Sequence, residues 1–315
     1  MLHTYGRSSG FCIDPIEKKP LAHVLPGSAT FSFGTAGCNL ACRFCQNWDI
    51  SSRSRTTPWP TTRRPRPSPP PRSNAGAGAC RSPTTTPPSS WRCAIDVADA
   101  CHDVGLRTVA VTAGYIEPQP RADLYAHLDA ANVDLKGFTE DFYRHTCGAE
   151  LGGARHPAVP APRDRRGSKL TTLLIPGAND GDAELDAMTA WVVEHLGPDV
   201  PMHFTAFHPD YRMLDTPPTP PATLARARRH ALANGVRFAY TGNVHDPAGQ
   251  STSCPTCGEV VISRDGYRLG RYRLDDLGRC RSCATPLPGL FDGAAGTWGP
   301  RRVPVAMHQP PSEQP

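Results

Sequence analysis

The chain has 315 residues, of which 38% are hydrophobic, and a formal net charge of +5. This composition suits one or two globular domains with an ordinary core, and no apolar run approaches the length of a membrane span. We recognise no charged and apolar leader, which predicts a cytoplasmic protein. Twelve cysteines in such a chain favour metal ligation or reduced thiols over a disulfide framework.

Strand-like and helix-like segments alternate along the chain. Alternating or continuous apolar runs predict strands at 29–33, 106–112, 132–135, 170–175, 202–207 and 236–240. Apolar residues at helical spacing predict helices at 94–102, 121–128, 182–196 and 219–234. This alternation predicts an α/β fold in which residues 1–250 form a parallel sheet curled into a partial or full (β/α) barrel.

Two segments do not fit this pattern. Residues 51–93 contain no Ile, Leu, Val, Met, Phe, Tyr, Asp, Glu or Lys, and 152–169 are similarly rich in Gly, Pro and Arg. Such segments cannot bury a core, although a barrel needs its first helix and second strand in the first of them. Our hypothesis is that both are translated in a shifted reading frame. The alternative is a genuine disordered insertion.

Three cysteines follow the first predicted strand with the spacing C-x3-C-x2-C: Cys38, Cys42 and Cys45. Three thiolates from one loop can hold three corners of a [4Fe–4S] cluster, and the absence of a fourth cysteine leaves one iron open for a substrate or cofactor. The alternatives are a zinc site, which would require a fourth ligand nearby, and buried cysteines without a metal.

Other polar residues also follow predicted strands. Asp134 and Lys136 follow the strand at 132–135, the Pro176-Gly177 pair follows the next one, and His208 follows 202–207. In (β/α) barrels the carboxyl ends of the strands carry the chemistry, so these residues and the cysteine loop are expected at one site. The alternative for Asp134 and Lys136 is an ordinary pair of charges facing water.

Four further cysteines form two C-x2-C pairs, Cys254 with Cys257 and Cys280 with Cys283. The pattern predicts a zinc-ribbon-like module over 251–290, in which the metal closes a unit too small to fold by apolar burial alone. A rubredoxin-like iron centre or a second cluster is the alternative. Residues 291–315 are predicted to be a flexible tail. The remaining cysteines are interpreted as core or surface thiols (Cys12, Cys101 and Cys147) and as accidents of the atypical segment (Cys80 and Cys93).

Several motifs together resemble the radical SAM enzyme of the AmmeMemoRadiSam system, a family similar to the activating enzymes of glycyl radical enzymes. The resemblance extends over most of the chain outside the two atypical segments. The motifs are Tyr5-Gly-Arg, Asp14-Pro-Ile-Glu-Lys-Lys-Pro-Leu, Pro26-Gly-Ser, the cysteine loop within 33–49, Val111-Thr-Ala-Gly-Tyr, Ala131-Asn-Val-Asp-Leu-Lys-Gly-Phe, the segments 171–180 and 203–211, and the C-terminal cysteine pairs.

The resemblance implies an enzyme that cleaves S-adenosylmethionine (SAM) reductively at a [4Fe–4S] cluster to form a 5′-deoxyadenosyl radical. It implies Cys38, Cys42 and Cys45 as cluster ligands and Phe44 against the adenine. Asp134 and Lys136 would lie near the SAM carboxylate, and His208 near the ribose.

The implied partners are a one-electron donor such as a flavodoxin or ferredoxin and a partner protein of the Memo type; no membrane is expected. One departure is that family members carry a Tyr-Thr-Tyr-Asn-acidic-Pro loop where this chain reads Ser82-Pro-Thr-Thr-Thr-Pro-Pro. A second hypothesis is a metal-stabilised binding module without catalysis, and a third is an inactive, frame-damaged product. The absence of a basic stripe interleaved with aromatic residues does not favour nucleic acid as a partner.

Overall fold

A computed structural model describes residues 10–34, 37–51, 79–82, 91–155 and 167–305, with 79–82 described only as backbone. Most of the first atypical segment and residues 156–166 of the second lie outside this range. The reading-frame hypothesis and the departure after Ser82 therefore concern mainly residues that the structure does not describe. The same holds for the Tyr5-Gly-Arg motif and for the end of the predicted tail.

Two β-sheets contain all the strands of the described residues. They are β1 (Phe11–Pro15), β2 (Ala29–Phe33), β3 (Ala79–Ser82), β4 (Arg107–Thr112), β5 (Ala130–Asp134), β6 (Ser168–Leu174), β7 (Met202–Ala206), β8 (Ala239–Gly242), β9 (Thr252–Ser253), β10 (Val260–Asp265), β11 (Arg268–Tyr272) and β12 (Val303–Val305). The larger sheet has the order β12-β1-β2-β3-β4-β5-β6-β7-β8, and the smaller one is β11-β10-β9.

Helices connect most of the parallel strands. They are α1 (Trp48–Ser51), α2 (Trp91–His102), α3 (Pro118–Ala126), α4 (Glu140–Phe142), α5 (Leu151–Arg155), α6 (Asp182–Leu196), α7 (Pro221–Ala233) and α8 (Pro247–Gln250). A 3₁₀ turn covers Ile16–Lys18, and a π-helical turn over Tyr143–Cys147 continues α4.

Strands β2 to β8 run parallel to one another in chain order, whereas β1 and β12 are antiparallel additions at the β2 edge. Within the described residues the sheet ends at β8 on one side and at β12 on the other, so the barrel does not close, and we call the gap beside β8 the seam. The predicted α/β fold with an open parallel barrel is confirmed. Strand β3, which lies within the first atypical segment, fills the position between β2 and β4.

Helix α6 illustrates why the helices cover the outer face of the sheet. Its residues Leu185, Met188, Val192 and Leu196 recur at helical spacing and are all buried. Gly197 ends the helix with a φ of +93°, a conformation that glycine adopts without the penalty of a β-carbon.

Alternation along the strands decides which side chains face the inside of the open barrel. Thr172 of β6 contacts the Met188 sulfur of α6 at 3.5 Å, so its neighbour Thr171 faces inward. The strand register places Asp134, Thr171, His203 and Tyr240 side by side on four successive strands. These four residues form one row, which we call the inner row, across the inside of the barrel.

The region of the four C-terminal cysteines packs against the barrel. Its buried residues Cys254, Val261 and Ile262 share an apolar cluster with Phe238 and Tyr240. Since Tyr240 belongs to β8, this contact places the small sheet beside the seam.

The segment after the small module differs from the expected flexible tail. Phe291 is buried, and β12 pairs with β1 through Phe11↔Val305 and Ile13↔Val303. A β-branched residue on each side of Pro304 allows the segment to add to the sheet edge, where proline is tolerated. Residues 306–315 lie outside the described range.

No helix in the described parts of the chain combines the length and the apolar character that crossing a lipid bilayer requires.

Candidate functional site

The three cysteines of the C-x3-C-x2-C motif lie on the loop that follows β2. Cys42 is buried, with 8% of its surface exposed, and Cys38 and Cys45 are half-buried. The Leu40 amide donates to the Cys38 sulfur at 3.4 Å, and Cys45 Sγ lies 3.2 Å from the Ser51 hydroxyl. The loop therefore lies at the carboxyl edge of the parallel sheet, where the sequence predicts it.

Hydrogen bonds fix the cysteine loop to segments that follow three other strands. Because these segments come from different parts of the chain, the positions of the thiols depend on the assembled barrel and not on the loop alone. The bonds run from Asn39 Nδ2 to Tyr115 O (2.6 Å), from the Ala41 amide to Cys147 O (2.8 Å), from the Arg43 amide to Thr146 O (2.9 Å) and from the Arg212 amide to Arg43 O (3.1 Å).

A fourth thiol, Cys147, lies next to the cysteine loop. It is fully buried at the end of the π-helical turn, and its sulfur forms a hydrogen bond with that of Cys42. This bond, followed by the positive charge of Lys136, lowers the pKa of Cys42 to about 7 although burial opposes the shift. The bond raises the pKa of Cys147, which therefore keeps its proton. Cys42 is thus the thiol of this pair that is prepared to act as a ligand.

Asp134 and Lys136 form an ion pair beside the cysteine loop. The two side chains are 28% and 16% exposed, and Lys136 Nζ lies 3.1 Å from Asp134 Oδ2. Burial disfavours the ammonium, but the Asp134 carboxylate and the Cys42 thiolate raise the pKa of Lys136 well above its ordinary value. Lys136 Nζ also lies 5.8 Å from the centroid of the Phe44 ring, which is itself buried. A fixed cation is therefore available next to the three thiols.

His208 approaches the cysteine loop from the segment after β7. Its Nδ1 lies 2.9 Å from Gln46 Nε2, and the side chain is 61% exposed. Trp48 also joins the cysteine loop to the segment after β7. Its Nε1 donates to Asp210, and its ring stacks on Tyr211 with centroids 5.6 Å apart. The segment after Pro176-Gly177 reaches the same place, because Asn179 Nδ2 donates to Lys136 O at 2.7 Å. The four predicted groups thus lie at one edge of the sheet.

The four C-terminal cysteines converge much more tightly. All four sulfurs lie within 4.8 Å of one another, with Cys254 and Cys283 at 3.5 Å and Cys257 and Cys280 at 3.7 Å. A tetrahedral zinc site with Zn–S bonds of about 2.3 Å would separate its sulfurs by about 3.8 Å. The residues therefore fit one tetrahedral metal ion. Iron on four thiolates would have similar geometry, so the distances do not select the metal.

The sequence does not indicate three of the contacts around the cysteine loop. Tyr143, whose hydroxyl accepts from the Lys136 amide at 2.9 Å, comes from the π-helical turn and is buried. Cys147, interpreted from the sequence as a core or surface thiol, and Tyr115 also contact the loop or its neighbours. Tyr115 ends the Val111-Thr-Ala-Gly-Tyr motif, whereas no local motif marks Tyr143 or Cys147. The contacts of Tyr115 and Cys147 with the loop join segments far apart in the chain.

Together, the fold and these sites define an α/β protein with an open parallel barrel, three thiols at its carboxyl edge and a four-thiol module against its seam. No family model matches the chain. The chain is 35% identical over 283 residues to "Uncharacterized protein MJ0808" of Methanocaldococcus jannaschii, an alignment that covers 89% of this chain and 83% of that protein. The chain belongs to the family of that protein.

Several solved structures are similar to the chain at 14% identity or less. A domain of pyruvate-formate lyase-activating enzyme from Bacteroides vulgatus has a TM-score of 0.38 and 12% identity, over 47% of this chain and 89% of that chain. TYW1 with a lysine-pyruvate adduct has a TM-score of 0.43 and 14% identity, over 66% and 74%. Streptococcus suis SuiB bound to S-adenosylmethionine has a TM-score of 0.42 and 10% identity, over 73% and 50%. Similarities of this size do not by themselves assign a function.

Proposed function

We propose that the protein is a radical SAM enzyme that uses a [4Fe–4S] cluster held by Cys38, Cys42 and Cys45. The observation that carries the proposal is the loop of three thiols at the carboxyl edge of an open parallel barrel, next to the Asp134–Lys136 pair. When bound, such a cluster supplies one electron for the reductive cleavage of a SAM sulfur–carbon bond and so forms a 5′-deoxyadenosyl radical.

The donor set supports this proposal. Three soft thiol ligands come from one loop, and the pKa of the nearby Cys147 is raised by its hydrogen bond with Cys42 and by burial, which disfavours Cys147 as a fourth thiolate. Ligands of three different irons lie further apart than ligands of one ion. Among the described residues, only the four C-terminal cysteines form a group of three or more possible ligands that converge closely enough for one metal ion. The wider spacing of the three loop thiols agrees with a cluster.

The Asp134–Lys136 pair supports a role in holding SAM. Lys136 is a half-buried cation at the carboxyl edge of β5, and an anionic carboxylate is favourable beside it. Phe44 would contribute an apolar ring next to this cation for the adenine, and His208 would approach from the opposite segment to meet the ribose. These three roles follow from the resemblance and are part of the proposal.

We further propose membership of the AmmeMemoRadiSam group, with chemistry like that of glycyl-radical-enzyme activases, and a cytoplasmic location. The expected partners are a one-electron donor such as a flavodoxin or ferredoxin and a protein of the Memo type. For the four C-terminal cysteines we propose zinc in a structural role, because both pairs are complete and leave no open position.

Anaerobic reconstitution with iron and sulfide, followed by dithionite and SAM, tests the proposed activity. The expected result is a four-iron cluster and release of 5′-deoxyadenosine. A reconstituted protein that holds no four-iron cluster, or that holds one and releases no 5′-deoxyadenosine, would contradict the proposal. The test uses the full-length chain without substitutions.

A further inference from the structure

A polar cavity lies inside the seam of the open barrel, on the opposite side of the inner row from Asp134. Its volume is about 80 Å³, which is room for more than one water-sized group. It opens to solvent beside Lys18 and Tyr267 and ends at His203 and Tyr240 of the inner row. We call it the seam cavity.

Buried groups around the seam cavity have polar atoms that the described residues leave without hydrogen-bond partners. Three of these atoms belong to residues that line the cavity: His203 Nε2, Arg264 Nε and Glu17 Oε2. The fourth, Lys169 Nζ, does not line the cavity but lies near enough for its charge to act on His203. Lys169 is 0% exposed and His203 is 8% exposed. Buried polar atoms in folded proteins are nearly always hydrogen-bonded, and a buried ammonium without a partner is especially costly. Such a set therefore points to a ligand that the site is built to receive.

Charge indicates the kind of ligand. Three of these four atoms belong to groups that donate hydrogen bonds, and two of the groups, Lys169 and Arg264, are basic. Glu17 is the one acidic residue among the described residues that line the cavity, and its other oxygen already accepts from the Gly27 amide at 2.9 Å. Burial raises the pKa of Glu17 although the charge of Arg264 opposes the shift, and burial lowers the pKa of Lys169 well below its ordinary value. Glu17 Oε1 lies 3.9 Å from Arg264 Nε, so Arg264 has an acidic partner, whereas Lys169 Nζ has no hydrogen-bond partner within the described residues.

The surrounding groups hold these donors in place. His203 stacks on Tyr240 with ring centroids 4.7 Å apart, and the Tyr240 hydroxyl lies 2.6 Å from His23 Nε2. Arg264 belongs to β10 of the small module, and its Nη2 donates to Ala22 O at 2.6 Å. Burial, and then the charge of Lys169, lower the pKa of both His23 and His203, so both rings are neutral. The module thus supplies one wall of the cavity.

We propose that the seam cavity binds the anionic group, a carboxylate or a phosphate, of the substrate on which the radical acts. That the bound molecule is the substrate of a radical rests on the proposed function, whereas the binding of an anion rests on the cavity alone. Neighbouring strands lie about 4.8 Å apart, so His203 is about 10 Å across the inner row from Asp134. An anion hydrogen-bonded to His203 and stabilised by the charge of the nearby Lys169 would leave the rest of a small substrate extended along the row toward the cysteine loop.

Binding of small anions to the full-length protein, without SAM or reductant, tests the proposal. Inorganic phosphate and malonate are titrated separately at constant ionic strength, with chloride as the reference, by calorimetry and by melting temperature. We expect saturable binding of at least one of them, and the one that binds identifies the ligand as a phosphate or a carboxylate. If neither binds in preference to chloride, the proposal is wrong.

Variants identify where the anion binds. Lys169→Met removes the buried basic group, and His203→Phe keeps a ring on Tyr240 but removes Nε2 as a donor. Each should weaken binding about tenfold or more, the loss expected for one charge-assisted hydrogen bond. The control Arg229→Met removes one charge from the exposed face of α7 and should leave binding unchanged.

Two further results distinguish the possible outcomes. Without an anion, Lys169→Met should melt at the same or a higher temperature than the parent, because it removes a buried amine that has no hydrogen-bond partner within the described residues. Binding that is lost in Lys136→Met but kept in Lys169→Met and His203→Phe would locate the anion at the cysteine loop and overturn the proposal. Because no step requires SAM cleavage, failure of the proposed enzymatic activity would be a separate result.

Discussion

The two cysteine sites of this protein use the same ligand atom in opposite ways. At the C-terminal module four sulfurs converge within 4.8 Å, and the two C-x2-C pairs supply all four corners. At the barrel edge three thiols are spread along one loop that other strand ends hold in place. A complete ligand set suits a metal that stabilises structure, whereas an incomplete one suits a metal that must bind something else. The number of ligands thus separates a structural role from a reactive one.

The largest effect is expected when one thiol is removed from the barrel edge, and it tests the reactive role of that site. Cys42→Ser should abolish uptake of the four-iron cluster and reduce 5′-deoxyadenosine formation at least ~100-fold, since the loss of even a second-shell partner costs 10–100-fold. Iron content, the visible spectrum and product analysis check this result. Cys101→Ala removes another buried thiol, from α2, and should keep both cluster and product. Equal loss in both variants would mean that thiol removal acts through folding.

Removing a thiol from the module should affect the module and leave the cluster in place. Cys257→Ser, at an exposed position, should release the bound metal and expose 251–290 to protease, because structural zinc contributes about 10 kcal/mol or more in isolated fingers. Cluster uptake at the barrel edge should persist. Elemental analysis and limited proteolysis provide the measurement, with the exposed neighbour Thr256→Ala as the matched control. A metal-free module that stays protease-resistant would refute the structural role.

The sequence predicts the two sites unequally for physical reasons. Helix α6 has the predicted bounds 182–196, because four apolar residues at helical spacing have no competing pattern. Strand β8 begins three residues later than predicted, since Val236 and Phe238 are buried in the approach to the strand and not within it. Both cysteine motifs are local and can be read directly. The contacts of Cys147 with the cysteine loop and those around the seam cavity join residues far apart in the chain, and no local pattern records them.

Lys169 shows this limit most clearly. In the sequence it belongs to an atypical, polar segment, but β6 already begins at Ser168 and places Lys169 in the closed interior of the barrel. Likewise the end of the chain, which is rich in Gly and Pro, does not predict β12. Its pairing depends on an edge that only the folded sheet provides.

The dependence of stability on acidic pH tests how the segment after the module is joined to the barrel. Asp14 of β1 is 2% exposed, lies 2.6 Å from Lys19 Nζ and 3.9 Å from Arg302 beside β12. Burial alone would raise its pKa, but the Lys19, Cys12 and Lys18 hydrogen bonds hold the pKa of Asp14 well below its usual range. Because the pKa of Asp14 is lower in the folded state than in the unfolded state, the ionised carboxylate stabilises the fold fully above about pH 4. This contribution is lost as the pH falls further.

Asp14→Asn should therefore destabilise the protein at neutral pH by ~3–5 kcal/mol, the usual cost of breaking a buried ion pair. It should also flatten the decline in stability below about pH 4. Urea unfolding at pH 7 and pH 3 measures both effects. The prediction fails if the variant and the parent lose stability in parallel over this range.

The smallest effect is expected from the cation beside the cysteine loop. Lys136→Met keeps the length of the side chain and should raise the apparent KM for SAM about tenfold, through loss of one charge-assisted hydrogen bond. The cluster spectrum should remain, which separates substrate binding from cluster assembly. Initial rates of 5′-deoxyadenosine release at several SAM concentrations give the answer. An unchanged KM would remove Lys136 from the proposed SAM site.

The pairing of β12 with β1 has a consequence for synthesis of the chain on the ribosome. The first strand of the sheet receives its outer neighbour only after about 290 further residues have been made. Until then β1 is an exposed edge with free backbone donors and acceptors, a surface that other nascent chains can extend. Completion of the C-terminus therefore protects the barrel against intermolecular strand addition, and chains shortened before Val303 should aggregate more readily than full-length ones.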